Sequence, residues 1–413
     1  MAVRHHLRSA MFGVLALGLT SVAASQQPAQ LAITNVRVFT GTRVIDRATI
    51  TVADGKILSI AATPSARASV TIDGTGKTAL PGLIDVHVHM LVGTTEVDTR
   101  RFIDNTLKER LQTFLRHGVT TVKSAGDPTD LILGIRADLR DGALAGPRLL
   151  VVGPALTAPG GHPAGTICRG DAWCRANRAA EVDSEEEARR EVRRLAQRGV
   201  DAIKVVFSSG EPEFNSSFPK LSFEIVKAIV DEARSAGLPV TVHVTDESMA
   251  IDVLAAGVSG LEHGPNAPQD PNALARALES PERSLVPTLA TLAARVPPTP
   301  SLQARSQTVA ELHKAGVRIV VGTDTRQEMP PGLSTIQEIE RLVEAGLSPE
   351  AALKAATSVA ARHLGLETEI GTLEIGKSAD ILLVRGDPTR NIGDLHQADA
   401  VVQTGRIVFR PGP

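Results

Sequence analysis

The stretch AQRGVDAIKVV, residues 196–206, decides how this chain is read. A periodic helical segment, Glu185–Gln197, runs into Gly199, and a β-branched strand begins at once. A glycine just past a helix takes the left-handed backbone of a C-cap. The same phrase recurs as LRHGVTTV (115–122), RSAGLPVTVHV (234–244), LAAGVSGLEHG (254–264) and HKAGVRIVVG (313–322). Apolar periodicity marks further helices over Leu107–Arg116 and Ser222–Ser235.

Eight strands follow from this pattern: Leu83–His89, Thr120–Ser124, Leu149–Leu156, Ala202–Ser208, Val240–Thr245, Gly260–Gly264, Leu285–Leu289 and Arg318–Thr323. Eight strands alternating with helices over roughly 280 residues predict an α/β fold of the (β/α)8 TIM-barrel type. A doubly wound sheet also alternates, but no glycine-rich nucleotide turn follows an early strand.

The flanks read differently. LAITNVRVFTGTRVIDRATITVADGKILSI (31–60) alternates at period two, and so do GTLEIGKSADILLVRGDP (371–388) and ADAVVQTGRIVF (398–409). Isolated hairpins are poorly stable. The two ends are therefore expected to form one composite β-sandwich domain, from residues 26–80 and 366–413, around a barrel of residues 81–365.

The amino-terminal residues 1–25 carry Arg4 and Arg8, an apolar run from Ala10 to Leu19, and small residues at Ala23–Ser25. This is the pattern of a secretory signal peptide, cleaved after Ala24 or Ser25. The expected mature protein is exported, periplasmic or secreted, and not membrane-bound. Export makes a local disulfide between Cys168 and Cys174 the favoured reading, with two metal-binding thiols as the alternative. A formal charge of −2 and no basic run argue against a nucleic-acid partner. Aromatic content of 2 %, with no tyrosine, argues against stacking platforms. A small-molecule substrate is expected, and a homo-oligomer is compatible with everything here.

Polar residues interrupt the strands at particular places. PGLIDVHVHM (81–90) sets His87 and His89 two apart, so a strand points both imidazoles to one face. Lys204 lies in the fourth strand, His243 ends the fifth, His263 ends the sixth, and Asp324 follows the eighth. The carboxyl ends of barrel strands converge on one rim. Imidazoles and a carboxylate there suit zinc or a similar divalent ion. Two such ions can share a hydroxide and polarise the carbonyl it attacks. Lys204, buried among valines, is expected to become a reactive neutral amine. With carbon dioxide it would form a carbamate, an anionic bridging ligand. A buried pair between Lys204 and a carboxylate is the alternative.

These motifs, PGLIDVHVH, GVTTV, AIKVV, VTVHV, GLEHG, GTDT and GTLEIGKSADILLV, resemble those of the amidohydrolase superfamily, in its imidazolonepropionase-like and prolidase-like branch. The resemblance covers about residues 31–410. It implies that His87 and His89 bind one metal, that carboxylated Lys204 bridges two, and that His243 and His263 hold the second. It also implies that Asp324 ligates the first metal and shuttles protons as base and then acid. APGGHP (158–163) is similar to a Gly-Gly-His of prolidase-like relatives, which implies that His162 polarises the scissile carbonyl. The loop from Ala158 to Asp183 far exceeds the ~2–6 residues usual after a strand, and reads as a lid or substrate wall with Trp173 facing the pocket. Arg326, two residues past Asp324, could clamp a substrate carboxylate. Departures from the relatives are Lys123-Ser124 where many read Arg-Asp, Pro331 before Gly332 where several read His-Gly, and the absence of tyrosine.

The expected activity is hydrolysis of an amide carbon–nitrogen bond in a dipeptide or N-acyl amino acid, with two zinc-like ions as cofactors. An esterase or lactonase could use the same centre. A ring deaminase is less favoured because Lys204 argues for two metals. An inactive exported metal-binding protein is the non-enzymatic alternative.

Overall fold

The structure is a computed structural model that describes residues 29–64, 67–211, 216–294, 300–326 and 329–412. The signal-peptide reading of residues 1–25 lies outside the described residues. Among those described, no helix is long and apolar enough to cross a membrane.

The period-two flanks form one sheet. Strands Ala29–Phe39, Val44–Ala53, Lys56–Ala61, Ala68–Asp73 and Lys77–Pro81 come from the amino-terminal segment, and Ile381–Arg385, Ala398–Gln403 and Arg406–Phe409 from the carboxyl-terminal one. The two segments join where Ile381–Arg385 runs antiparallel to Lys77–Pro81, with Leu383 opposite Ala79. Alternate residues of both segments share one apolar layer, including Ile33, Ile50, Ile381, Leu383 and Val402. Neither flank could bury that layer alone.

Between the flanks lies a (β/α)8 barrel. Its parallel strands are Leu83–Val88, Val119–Ser124, Arg148–Val151 continued by Ala155–Thr157, Ile203–Val206, Val240–Val244, Gly260–His263 and Ser284–Val286. The third strand, expected as one run, is broken at Gly153, whose φ of 82° no strand interior holds, and at Pro154. The segment expected as an eighth strand makes single bridges only, yet it spans the gap. Val320 N donates to Leu285 O at 2.9 Å, and Val86 N donates to Val321 O at 3.0 Å. Residues 318–325 thus join the seventh strand to the first.

Helices cover the outside as the glycine phrases require. Glu185–Arg198 begins on Ser184, which caps Glu187 N, and ends on left-handed Gly199. Leu195 and Val192 of that helix are buried in the large core that also holds Val88, Val122, Val205 and Leu261. Val86 packs in a second apolar group with Val286, Val320 and Ala360. Apolar side chains behind the first strand therefore fix the direction in which its histidines point.

Candidate metal centre

All eight singled-out site residues line one cavity of about 340 Å³: His87, His89, His162, Lys204, His243, His263, Asp324 and Arg326. The alternation read in the first strand holds. His87 Nε2 lies 3.5 Å and His89 Nε2 lies 2.9 Å from the same oxygen, Asp324 Oδ1. One atom from each of these three residues falls within 4.8 Å of the others. Asp324 reaches them because its own N–H and that of Thr323 donate to His87 O, at 2.8 and 3.2 Å. A backbone φ of 53° at Asp324 turns its side chain inward. Such left-handed backbone costs a non-glycine residue roughly 1–3 kcal/mol and is held by surrounding contacts.

Asp85 is one source of those contacts. Its fully buried carboxylate accepts from His87 N (3.2 Å), Thr323 N (3.1 Å), Thr323 Oγ1 (2.8 Å) and Thr335 Oγ1 (2.9 Å). It therefore ties the strand of the two histidines to the segment of the aspartate. Burial pushes the Asp85 carboxyl up to about 6 against the pull of these donors. Asp127 does similar work one loop further on. It accepts from Met90 N (2.8 Å), Leu91 N (3.2 Å) and Arg178 (3.0 Å), which fixes the turn after His89.

The remaining imidazoles stand beside this trio. Ring centroids of His87 and His263 are 5.3 Å apart, those of His263 and His243 4.3 Å, and those of His243 and His162 5.0 Å. His263 Nδ1 pairs with Thr288 Oγ1 at 2.8 Å, and His162 Nδ1 with Thr166 Oγ1 at 2.6 Å. A partner on Nδ1 fixes each ring and leaves Nε2 to face the cavity.

Electrostatics suit a cation. Burial, with Lys204 nearby, lowers His87 to about 4, and burial also lowers His89 and His263. Despite its burial, the Asp324 carboxyl is held well below the usual range by Arg326 and by hydrogen bonds from His87 and His89. At neutral pH the set offers neutral imidazole lone pairs and one ionised carboxylate, the donor forms that divalent metals require. The residues present fit a metal centre.

Lys204 lines the same cavity beside a buried acid. Its Nζ lies against the carboxylate of Glu262, which is fully buried. Glu262 also faces His87 Nδ1 at 3.2 Å and Lys123 Nζ at 3.3 Å. Sequence reasoning passed over Glu262 because strand alternation would turn it away if His263 faces inward. His263 has a φ of 70°, so alternation fails there and both side chains serve the interior. An acid inside the GLEHG run was the available signal.

The long loop after the third strand forms part of the cavity wall through His162, Pro163, Ile167 and Arg178. Cys168 and Cys174 are joined by a disulfide within it. Trp173 is not among the lining residues, contrary to expectation. The short helix Ala172–Arg178, capped by Asp171, presents Arg178 to the cavity instead. Arg326 donates to Asp324 Oδ2 at 2.6 Å and is partly exposed at the rim.

A barrel whose strand ends gather neutral histidines and an ionised aspartate, attached to a β domain built from both flanks, defines a metal-dependent hydrolase. The chain belongs to the amidohydrolase family, whose sequence model matches residues 78–408, and within it to the imidazolonepropionase- and prolidase-like branch. It is 30 % identical over 307 residues to the ochratoxinase of Aspergillus niger, covering 66 % of this chain and 62 % of that one. It is 25 % identical over 419 residues to the imidazolonepropionase of a Geobacillus species, covering 89 % and 92 %. Among solved structures, a putative prolidase from Bifidobacterium longum superimposes with a TM-score of 0.77 at 30 % identity, over 94 % of this chain and 96 % of that one. This chain is accordingly a hydrolase acting on carbon–nitrogen bonds.

Proposed function

We propose that the protein cleaves the amide bond of a dipeptide or N-acyl amino acid. The observation that carries this reading is the convergence of His87, His89 and Asp324 within 4.8 Å, with His162, His243, His263 and Lys204 in the same cavity. The likeness to a putative prolidase supports a peptide-like substrate. Two divalent ions, zinc by the chemistry of the donors, would supply an acidified water and polarise the carbonyl.

The chain's own residues divide the remaining work. His87, His89 and Asp324 would hold one ion, and His243 with His263 the other. Lys204, as a carbamate, would supply an anionic ligand to them. Its ammonium loses two protons to solvent as one Nζ–C bond to carbon dioxide forms, leaving a single negative charge. Asp324, ionised and touching both imidazoles, takes the proton from the attacking water and returns it to the leaving nitrogen. His162, oriented by Thr166, donates from Nε2 to the carbonyl oxygen as negative charge develops there. Arg326 at the rim meets the substrate's carboxylate.

The leader pattern at residues 1–25 supports export to the periplasm or medium, where the Cys168–Cys174 bond is stable. The amino-terminal sequence of the secreted product tests this; a retained Met1 contradicts it.

The reaction is tested by supplying zinc-loaded protein with dipeptides, N-acyl amino acids and lactones, and following amine or acid release. Amine release without lactone turnover is the expected result. Lactone opening with no amide cleavage would transfer the assignment to the esterase class.

A further inference from the structure

Lys204, which lines the cavity, shares one buried acid with a second lysine behind it. Lys123 and Lys204 both approach Glu262, and all three side chains are buried. Lys123 takes Oε1 at 3.3 Å, while Lys204 lies against Oε2, the oxygen that also faces His87 Nδ1 at 3.2 Å.

A lysine held by Glu262 cannot also serve a metal. A buried carboxylate deprived of every cation is strongly unfavourable. Glu262 can therefore release Lys204 only if another positive group remains on it, and Lys123 is the group placed to do so. Once Lys204 turns away, Oε2 is left to His87 Nδ1–H. That contact fixes the tautomer whose Nε2 lies beside Asp324 Oδ1.

We propose that Lys123 is a positioning residue for the metal centre: by neutralising Glu262 it frees Lys204 for the metals and leaves Glu262 to orient His87. This rests on the metal-dependent reading above and deepens it. Lys123 touches neither metal nor substrate and acts only through Glu262.

Zinc affinity, measured by dialysis of the full chain against a competing chelator, reads this without any substrate. Lys123→Met should keep Lys204 on Glu262 and weaken zinc binding about 10–100-fold, the range seen when groups behind metal ligands are removed. Lys123→Arg should bind zinc as wild type does. The double variant Lys123→Met/Glu262→Gln removes the buried charge while keeping an acceptor for His87, and should recover most of the affinity. A merely space-filling lysine would give no such recovery.

Wild-type zinc affinity in Lys123→Met, or a double variant as weak as Lys123→Met, overturns the proposal. If Lys123→Met does not fold, the double variant decides: near-wild-type affinity supports the proposal, and a tenfold loss contradicts it. A wild-type chain that binds no zinc overturns the metal-dependent reading and this inference together. Normal zinc binding with no effect at Lys123 overturns this inference alone.

Discussion

His89 and Asp324, carried by segments at opposite ends of the barrel sequence, meet with 2.9 Å between Nε2 and Oδ1, while Arg326 takes Oδ2 at 2.6 Å. The carboxylate is shared between an imidazole face and a guanidinium face. It is ionised, fully buried and next to every candidate ligand of the first ion. Replacement by Asn keeps its size and removes its charge and basicity. Asp324→Asn should lower kcat/KM about 10²–10⁴-fold, the scale of a lost general acid–base group. Amide turnover near the wild-type rate would remove Asp324 from the chemistry.

His162 stands apart from the trio but next to His243, with Nδ1 on Thr166. If it polarises the carbonyl rather than holding an ion, His162→Asn should cut kcat about 10²–10³-fold. Zinc content should be unchanged. Loss of zinc in this variant would make His162 a ligand instead.

Asp85 satisfies two backbone N–H groups and two threonine hydroxyls at once. Asp85→Ala strands these donors, each at about 1–3 kcal/mol when buried. A loss of roughly 3 kcal/mol or more in urea unfolding is expected, with a smaller loss for Asp85→Asn, which keeps an acceptor. An alanine variant as stable as wild type would show that Asp85 does not brace the site.

Glu338 gives the fold a pH dependence. It is fully buried, and burial raises its carboxyl from 4.5 to about 8, against hydrogen bonds from Ala290 N and Leu289 N. Below about pH 4.5 both folded and unfolded chains hold the proton, so this group adds no slope. Between about 4.5 and 8 only the folded chain keeps it, and stability falls as pH rises. Above about 8 both are ionised and the loss is complete. Glu338→Gln should therefore melt close to wild type near pH 5 and several degrees above it at pH 8. Parallel melting curves for the two proteins across this range would contradict the assignment.

Much of this was legible in the sequence. The repeated helix–glycine–strand phrase gave the barrel, because C-cap glycines and β-branched runs obey local rules. The pairing of His87 with His89 followed from alternation within one strand. Glu262 did not, since its inward direction depends on the left-handed backbone at His263, which is fixed by contacts remote in sequence. The same holds for residues 318–325, which close the barrel through bridges and not as a regular strand. Trp173 was expected to face the pocket, whereas the helix Ala172–Arg178 turns Arg178 to the cavity. Local patterns named the ligand candidates, and tertiary contacts chose what lies behind them.

Zinc stoichiometry tests the central claim most directly. The wild-type chain, loaded with zinc and bicarbonate and freed of excess metal, should retain about two ions per chain by elemental analysis. A His243→Ala/His263→Ala variant should retain about one, held by His87, His89 and Asp324. A wild-type chain with no bound zinc, or a variant that keeps both ions, would contradict the account.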